Sequence, residues 1–263
     1  MLTLAPRSLT LALSSLLLVA PAIGCSDLGT HKLAIDGSDA VKQGIDMSAT
    51  DGWAITFESF IVVVHNPGLI ERIDNDPALV RESGVTVWNV VSGVAEGEEL
   101  SRQIRATNYD GVQFRIAPPA ASGYDAVVGN VPEDVVDMAV DEGWSIHVIG
   151  SAASAMDNIS FDWTFDTNTF YRCELEGDEV LMLAADGDET TVIEILGEAL
   201  FRSETDDPSS ALVFQPIADA DADNDGMVTT DELDAAGLLE QVTALSQQIG
   251  GVGGAGICPA FEG

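Results

Sequence analysis

Positive charge is what this chain has least of. Only 10 of its 263 residues are Lys or Arg, against 44 Asp and Glu, giving a formal net charge of −34. Lysine is confined to Lys32 and Lys42. A surface this negative repels phosphate and has almost nothing with which to neutralise it, so nucleic acid is excluded as a partner. Histidine is nearly as scarce: His31, His65 and His147 are the full set, at spacings that match no zinc or copper motif. No GxSxG, no nucleophilic Cys–His arrangement and no phosphate-cradling glycine loop occurs, and the expectation is a protein that is not an enzyme. What is present is a hydrophobic fraction of 46%, enough to argue against wholesale disorder. The length suits one large or two small domains.

The amino terminus has its own logic. Arg7 is followed by an apolar stretch, Leu9 to Ala20, too short and too rich in small residues for a membrane span. Residues 1–24 therefore read as a secretory leader. The segment Pro21-Ala22-Ile23-Gly24-Cys25 resembles the lipobox of bacterial lipoproteins, although Ala22 stands where that family carries a branched residue. The resemblance implies cleavage before Cys25, lipidation of its thiol and acylation of the new amino terminus. Several acyl chains on one residue give stable membrane anchoring where a single chain would not. Ser26, rather than an aspartate, follows the cysteine. By analogy with the sorting of such lipoproteins, this implies a bacterial cell envelope protein anchored in the outer membrane. Residues 25–49, mostly polar or small, are expected to form a tether.

Three cysteines occur. With Cys25 lipidated, Cys173 and Cys258 remain in an oxidising compartment, and a disulfide between them is expected. It would tie down the glycine-rich tail, residues 250–263, which reads as flexible. A metal pair is the rival reading, but no histidine lies close in sequence to either cysteine.

Residues 50–205 read as the body. Trp53 to Val64 is β-branched and aromatic with period two at its start, placing Trp53, Ile55, Phe57, Ile61 and Val63 on one parity, then apolar on both faces. That pattern predicts a central strand. Further strands are predicted at Val85–Val91, Val112–Ile116, Trp144–Gly150, Ile159–Phe165, Glu179–Ala184 and Thr190–Leu196, the last two joined as a hairpin at Asp186-Gly187. One helix interrupts the series: Pro132 suits its first turn, Glu133 and Asp134 its positive end, and Gly143 stops it. The expected fold is mainly β, an antiparallel β-sandwich with one inserted helix. Residues 206–249 change character, becoming Asp-rich and helical, with a helix over Leu238–Gln248.

That segment holds the one specific motif, Asp221-Ala222-Asp223-Asn224-Asp225-Gly226-Met227-Val228-Thr229-Thr230-Asp231-Glu232. Carboxylates stand at positions 1, 3 and 5 (Asp221, Asp223, Asp225), and glycine at 6 (Gly226), where the chain must turn sharply. Calcium takes 6–8 hard oxygens without strict angles, which alternating acids on a tight loop can supply. The stretch resembles the calcium loop of the EF-hand family. The resemblance implies a backbone carbonyl ligand from Met227, a hydroxyl or held water from Thr229, and a bidentate Glu232 on the exit helix. Val228 is expected to point inward. Two departures stand out: Pro216 lies within the expected entering helix, and no second loop is present. EF-hands usually work in pairs, so a lone loop suggests structural calcium rather than a sensor.

Two other functions remain in view: copper or zinc scavenging, which would need His65 and His147 close together, and surface recognition by a partner the sequence does not name. The four tryptophans, Trp53, Trp88, Trp144 and Trp163, fall in or beside predicted strands and read as packing. Abundant aspartate with scarce lysine is also the balance of salt-adapted proteins, where charge maintains solubility.

Overall fold

The protein is described here by a computed structural model covering residues 27–73, 76–81, 84–93, 99–122, 126–177, 180–253 and 256–262. The leader and Cys25 lie outside the described residues. In chain order the strands begin with β1 (Leu28–Gly37), β2 (Ala54–Ile73), β3 (Asp76–Arg81), β4 (Val85–Asn89), β5 (Leu100–Arg105) and β6 (Asn108–Tyr109). There follow β7 (Gly111–Ile116), β8 (Ala126–Val128), β9 (Ile146–Ala153), β10 (Asn158–Phe165), β11 (Thr169–Glu174) and β12 (Leu181–Met182). The last are β13 (Asp188–Ile195), β14 (Met227–Thr229), β15 (Gly250–Val252), β16 (Gly256–Ile257) and β17 (Ala260–Glu262). The helices are α1 (Asp39–Gln43), α2 (Glu133–Glu142), α3 (Gln215–Ala218), α4 (Thr230–Ala235) and α5 (Leu239–Ser246). The fold is mainly β, as the sequence pattern implies, and no helix among the described residues is long and apolar enough to cross a membrane.

Two sheets enclose the main core. A five-stranded sheet runs β16-β15-β13-β1-β5, and a ten-stranded sheet is built on β2. Leu33, Ile35, Ile193 and Ile195 of the first pack in one apolar cluster with Phe60, Val62, Val64 and Val148 of the second. Pairing is mostly antiparallel, with β1–β13, β4–β8 and β10–β14 as parallel pairs that the local sequence pattern does not report.

The 20-residue β2 is the organising strand. Its first half pairs with β9 and its second with β7, while β4 and β3 follow one another as further partners. A register shift between Phe57 and Ser59 changes the parity. Before it Ile55 and Phe57 face the main core; after it Phe60, Val62 and Val64 do, and Ile61 and Val63 turn to the opposite face. The single-parity face expected from Trp53 to Val63 is therefore broken by one extra residue, the effect of a β-bulge. On that opposite face, Ile61 and Val63 form a second cluster with Val85, Val87, Val136, Ala139 and Trp144, covered by α2. This helix starts after Pro132 and ends at Gly143, whose φ of 74° is the left-handed conformation of a C-cap.

Several expectations are corrected. Residues 28–43 are not a tether: β1 lies in the five-stranded sheet with Leu33 and Ile35 buried, and α1 follows, capped by the Ser38 side chain accepting from Val41 N. The predicted hairpin at Asp186-Gly187 does not form a ladder. Leu181 pairs with Tyr109, and β13 lies between β1 and β15. Among the described residues of the glycine-rich tail, β15, β16 and β17 are strands rather than loose chain, and the glycines permit close packing: a Cβ on Gly250 would sit 2.5 Å from the Tyr171 ring. The expected disulfide is present, joining Cys173 of β11 to Cys258 with a Cα–Cα distance of 4.8 Å. Finally, residues 206–249 do not form a separate unit. Phe214, Ile217, Val228, Leu233 and Val242 belong to the same cluster as Phe57 and Phe161.

Candidate metal centre

The acidic loop is held between a short entering helix and a sheet edge. Pro216 sits in the first turn of α3, where its missing N–H is no loss, so the entering helix is only four residues long. Its start is satisfied from elsewhere: Asp51 accepts from Phe214 N and Gln215 N, each at 2.9 Å. Beyond the loop, β14 pairs in parallel with β10, Ser160 opposite Met227 and Asp162 opposite Thr229. Ser160 N donates to Gly226 O at 2.8 Å, and Thr164 N to Thr230 Oγ1 at 3.4 Å. Val228 is fully buried, as expected of the residue that anchors the loop to the core.

Within the loop the three aspartates are turned inward by their own backbone. Asp221 accepts from Asp225 N at 3.2 Å and from Gly226 N at 3.0 Å; Asp223 also accepts from Asp225 N, and Asp225 from Met227 N at 2.8 Å. These bonds require two residues in the left-handed region, Asn224 at φ 59° and Gly226 at φ 82°. Asparagine tolerates that region better than most side chains, and glycine is indifferent to it. One carboxylate oxygen from each of Asp221, Asp223 and Asp225 lies within 4.8 Å of the others. Among the described residues this is the only such grouping of His, Cys, Asp and Glu.

Glu232 does not join that grouping. One carboxylate oxygen accepts from Thr229 N at 2.9 Å and Thr229 Oγ1 at 3.0 Å, completing a capping box at the start of α4. The other accepts from Ala222 N at 3.3 Å, so Glu232 still reaches back to the first turn of the loop. Thr229 serves as the helix cap, and the Met227 side chain points outward, leaving only its backbone for a ligand role. The spacing alone did not reveal Trp163 or Asp51. The Trp163 indole N–H donates to Val228 O at 2.9 Å, from a position 65 residues upstream. Beside the loop a cavity of about 350 Å³ is lined by Trp53, Asp157, Gln215, Asp219, Asp221 and Asn224.

The histidines are dispersed. His31 meets Thr191 Oγ1 at 3.0 Å, His65 meets Ala117 O at 2.8 Å, and His147 meets Asp162 Oδ1 at 2.8 Å. His147 lies opposite Ile61 in the sheet, four positions along β2 from His65, roughly 13 Å at strand rise. Burial lowers the His31 pKa to about 4 and holds that of His65 below its ordinary value.

No protein-family profile matches this chain, and no curated protein or solved structure matches it. Three carboxylates converging at alternate positions supply hard oxygens on one side of a point that a divalent cation could occupy. Bringing them together without a cation is electrostatically unfavourable.

Proposed function

We propose that this chain is a lipid-anchored cell-envelope protein that binds calcium through the loop Asp221–Glu232, the ion stabilising structure rather than transmitting a signal. The observation that carries the reading is the convergence of Asp221, Asp223 and Asp225 on a loop that turns at Gly226 and leads into a helix headed by Glu232. Calcium suits this set better than magnesium, which keeps its waters and demands near-octahedral geometry. Asp221, Asp223 and Asp225 would hold the ion together with the Met227 carbonyl and Glu232, whose carboxylate would give up its hydrogen bond to Ala222 N to do so. Anchoring of the loop through β14 supports a structural role, since a sensor needs helices free to swing. The anchor half of the proposal rests on the leader and the lipobox-like sequence at Cys25.

Calorimetric titration of the purified protein with calcium, magnesium, zinc and copper, after exhaustive chelation, tests the metal reading. Calcium is expected to bind with an affinity on the order of 10⁻⁴–10⁻³ M, as in extracellular calcium modules. Absence of calcium heat, or preferential uptake of zinc or copper, overturns it. Mass spectrometry of the mature amino terminus tests the anchor: an unacylated Cys25 removes it.

A further inference from the structure

Almost no free chain separates Cys25 from the folded body. Asp27 already takes part in the fold, its carbonyl accepting from Ala106 N at 2.7 Å, and β1 begins at Leu28. Three residues of extended chain span at most about 10 Å. A lipid held at Cys25 therefore brings the start of β1 to the surface of the bilayer, whatever path Ser26 takes.

The chain around that point presents apolar side chains to solvent. Leu28 is 39% exposed and Met182 70% exposed, and Ala184 and Ala185 are exposed beside them. One stretch ties them together. Arg105 lies opposite Leu28 in the sheet, Leu183 N donates to Thr107 O, and Met182 lies opposite Asn108. Asp186 N closes the group by donating to Leu28 O at 2.9 Å. Arg105 adds a cation: it is bonded to Glu71 at 3.1 Å, yet its side chain is 63% exposed. A long arginine at such an edge lays its stem on apolar neighbours and holds its charge at the level of lipid phosphates.

The opposite end has a different character. β1 rises about 30 Å from Leu28 to Gly37. Beyond it come Asp39 and Asp51, the latter accepting from Phe214 N at the start of α3, and then the converging Asp221, Asp223 and Asp225. At the near end, residues 27–29, 105–108 and 182–187 contain two acids, Asp27 and Asp186, against Arg105. Asp188, next along, is paired with Lys32 at 3.0 Å. A body of net charge −34 is repelled least by an anionic lipid surface when its acidic end points away.

We propose that this near end rests on the lipid bilayer, with Leu28 and Met182 entering the boundary between headgroups and acyl chains and Arg105 meeting lipid phosphates. The acidic loop then faces away from the membrane. The proposal rests on lipidation of Cys25 and is independent of calcium. The apolar group is too small to hold the protein on a membrane by itself; it sets orientation, and the acyl chains supply attachment.

The test is methionine oxidation by chloramine-T, a charged reagent that stays in water, read residue by residue by mass spectrometry. The acylated protein is placed in nanodiscs of phosphatidylethanolamine with a minority of phosphatidylglycerol. The same chain without its leader and carrying Cys25→Ser, free in buffer, is the unattached reference. Met156 is the internal control: it is 90% exposed in the turn between β9 and β10, and its neighbour Asp157 lines the cavity beside the acidic loop. Met182 is expected to oxidise at least fivefold more slowly on nanodiscs than in the reference, with Met156 unchanged. Met182 oxidising at the reference rate in acylated protein overturns the orientation and leaves the anchor standing. Protection of Met156 instead, or of both alike, overturns it too. An unacylated Cys25 removes anchor and orientation together. Protection in envelope fragments but not in nanodiscs assigns this face to a protein and overturns the lipid reading.

Discussion

The indole N–H of Trp163 donates to the backbone carbonyl of Val228 at 2.9 Å, a buried bond joining the ten-stranded sheet to the middle of the acidic loop. Trp163 itself stacks on Phe161, with ring centroids 4.5 Å apart. Trp163→Phe keeps most of that stacking and deletes the donor. The expected loss is about 1–3 kcal/mol of stability in chelator, with weakened calcium binding because the loop loses its inner fastening. Urea unfolding checks the first and calcium titration the second. An unaltered midpoint would show that the bond contributes nothing.

Asp221 and Glu232 should separate the metal from the cap. Asp221→Ala is expected to abolish the calcium-induced rise in melting temperature. Glu232→Ala should abolish it as well, and should also lower stability in chelator by about 1 kcal/mol, because the capping box at α4 is broken. Scanning calorimetry with and without calcium distinguishes the two. If both variants keep the wild-type calcium response, structural calcium at this loop is ruled out.

The disulfide bridges 85 positions, a large loop in the unfolded chain. Replacing Cys173 and Cys258 together by serine should cost roughly 3–5 kcal/mol in the chain-entropy account. The damage should be felt first where β17 pairs with β11, Phe170 opposite Phe261. Denaturant midpoints give the total, and hydrogen exchange at residues 169–171 gives its location; a change below about 1 kcal/mol would contradict the entropic account.

His31 makes the fold sensitive to mild acid. Its pKa is lowered by burial to about 4, against about 6.5 in an unfolded chain. The unfolded state therefore takes up the proton first. Stability from the neutral imidazole is complete above pH 6.5 and is lost as pH falls toward 4, to the extent of roughly 3 kcal/mol. His31→Gln, which offers Thr191 an amide and cannot protonate, should flatten that slope. Stability measured from pH 4 to 7 in chelator reads the difference, and parallel curves for the two proteins would refute it.

Local chemistry made much of this fold legible, and non-local pairing hid the rest. Pro132 and Gly143 bracket α2 as their backbone preferences require, and most predicted strands are strands. The three aspartates converge because one residue in two faces the same side of a tight turn, which spacing reports directly. By contrast, β1 buries Gly29, His31, Leu33, Ile35 and Gly37 on one parity, a period-two signal diluted by two glycines and a histidine. Its partner β13 lies some 160 residues away, beyond any local signal. The bulge before Ser59 likewise leaves no mark in composition. Gly250 and Gly251 read as looseness, whereas close approach to Tyr171 and Leu196 is what demands them.

The length of β2 has a consequence for how the molecule opens. One strand supplies Phe60, Val62 and Val64 to one apolar layer and, interleaved residue by residue, Ile61 and Val63 to the other. Detaching α2 would wet one side of a ribbon whose other side is still clamped, and releasing the ribbon would dissolve both layers together. Amide protons in β4, β7 and β9 should therefore exchange as a single cooperative block, at one opening free energy.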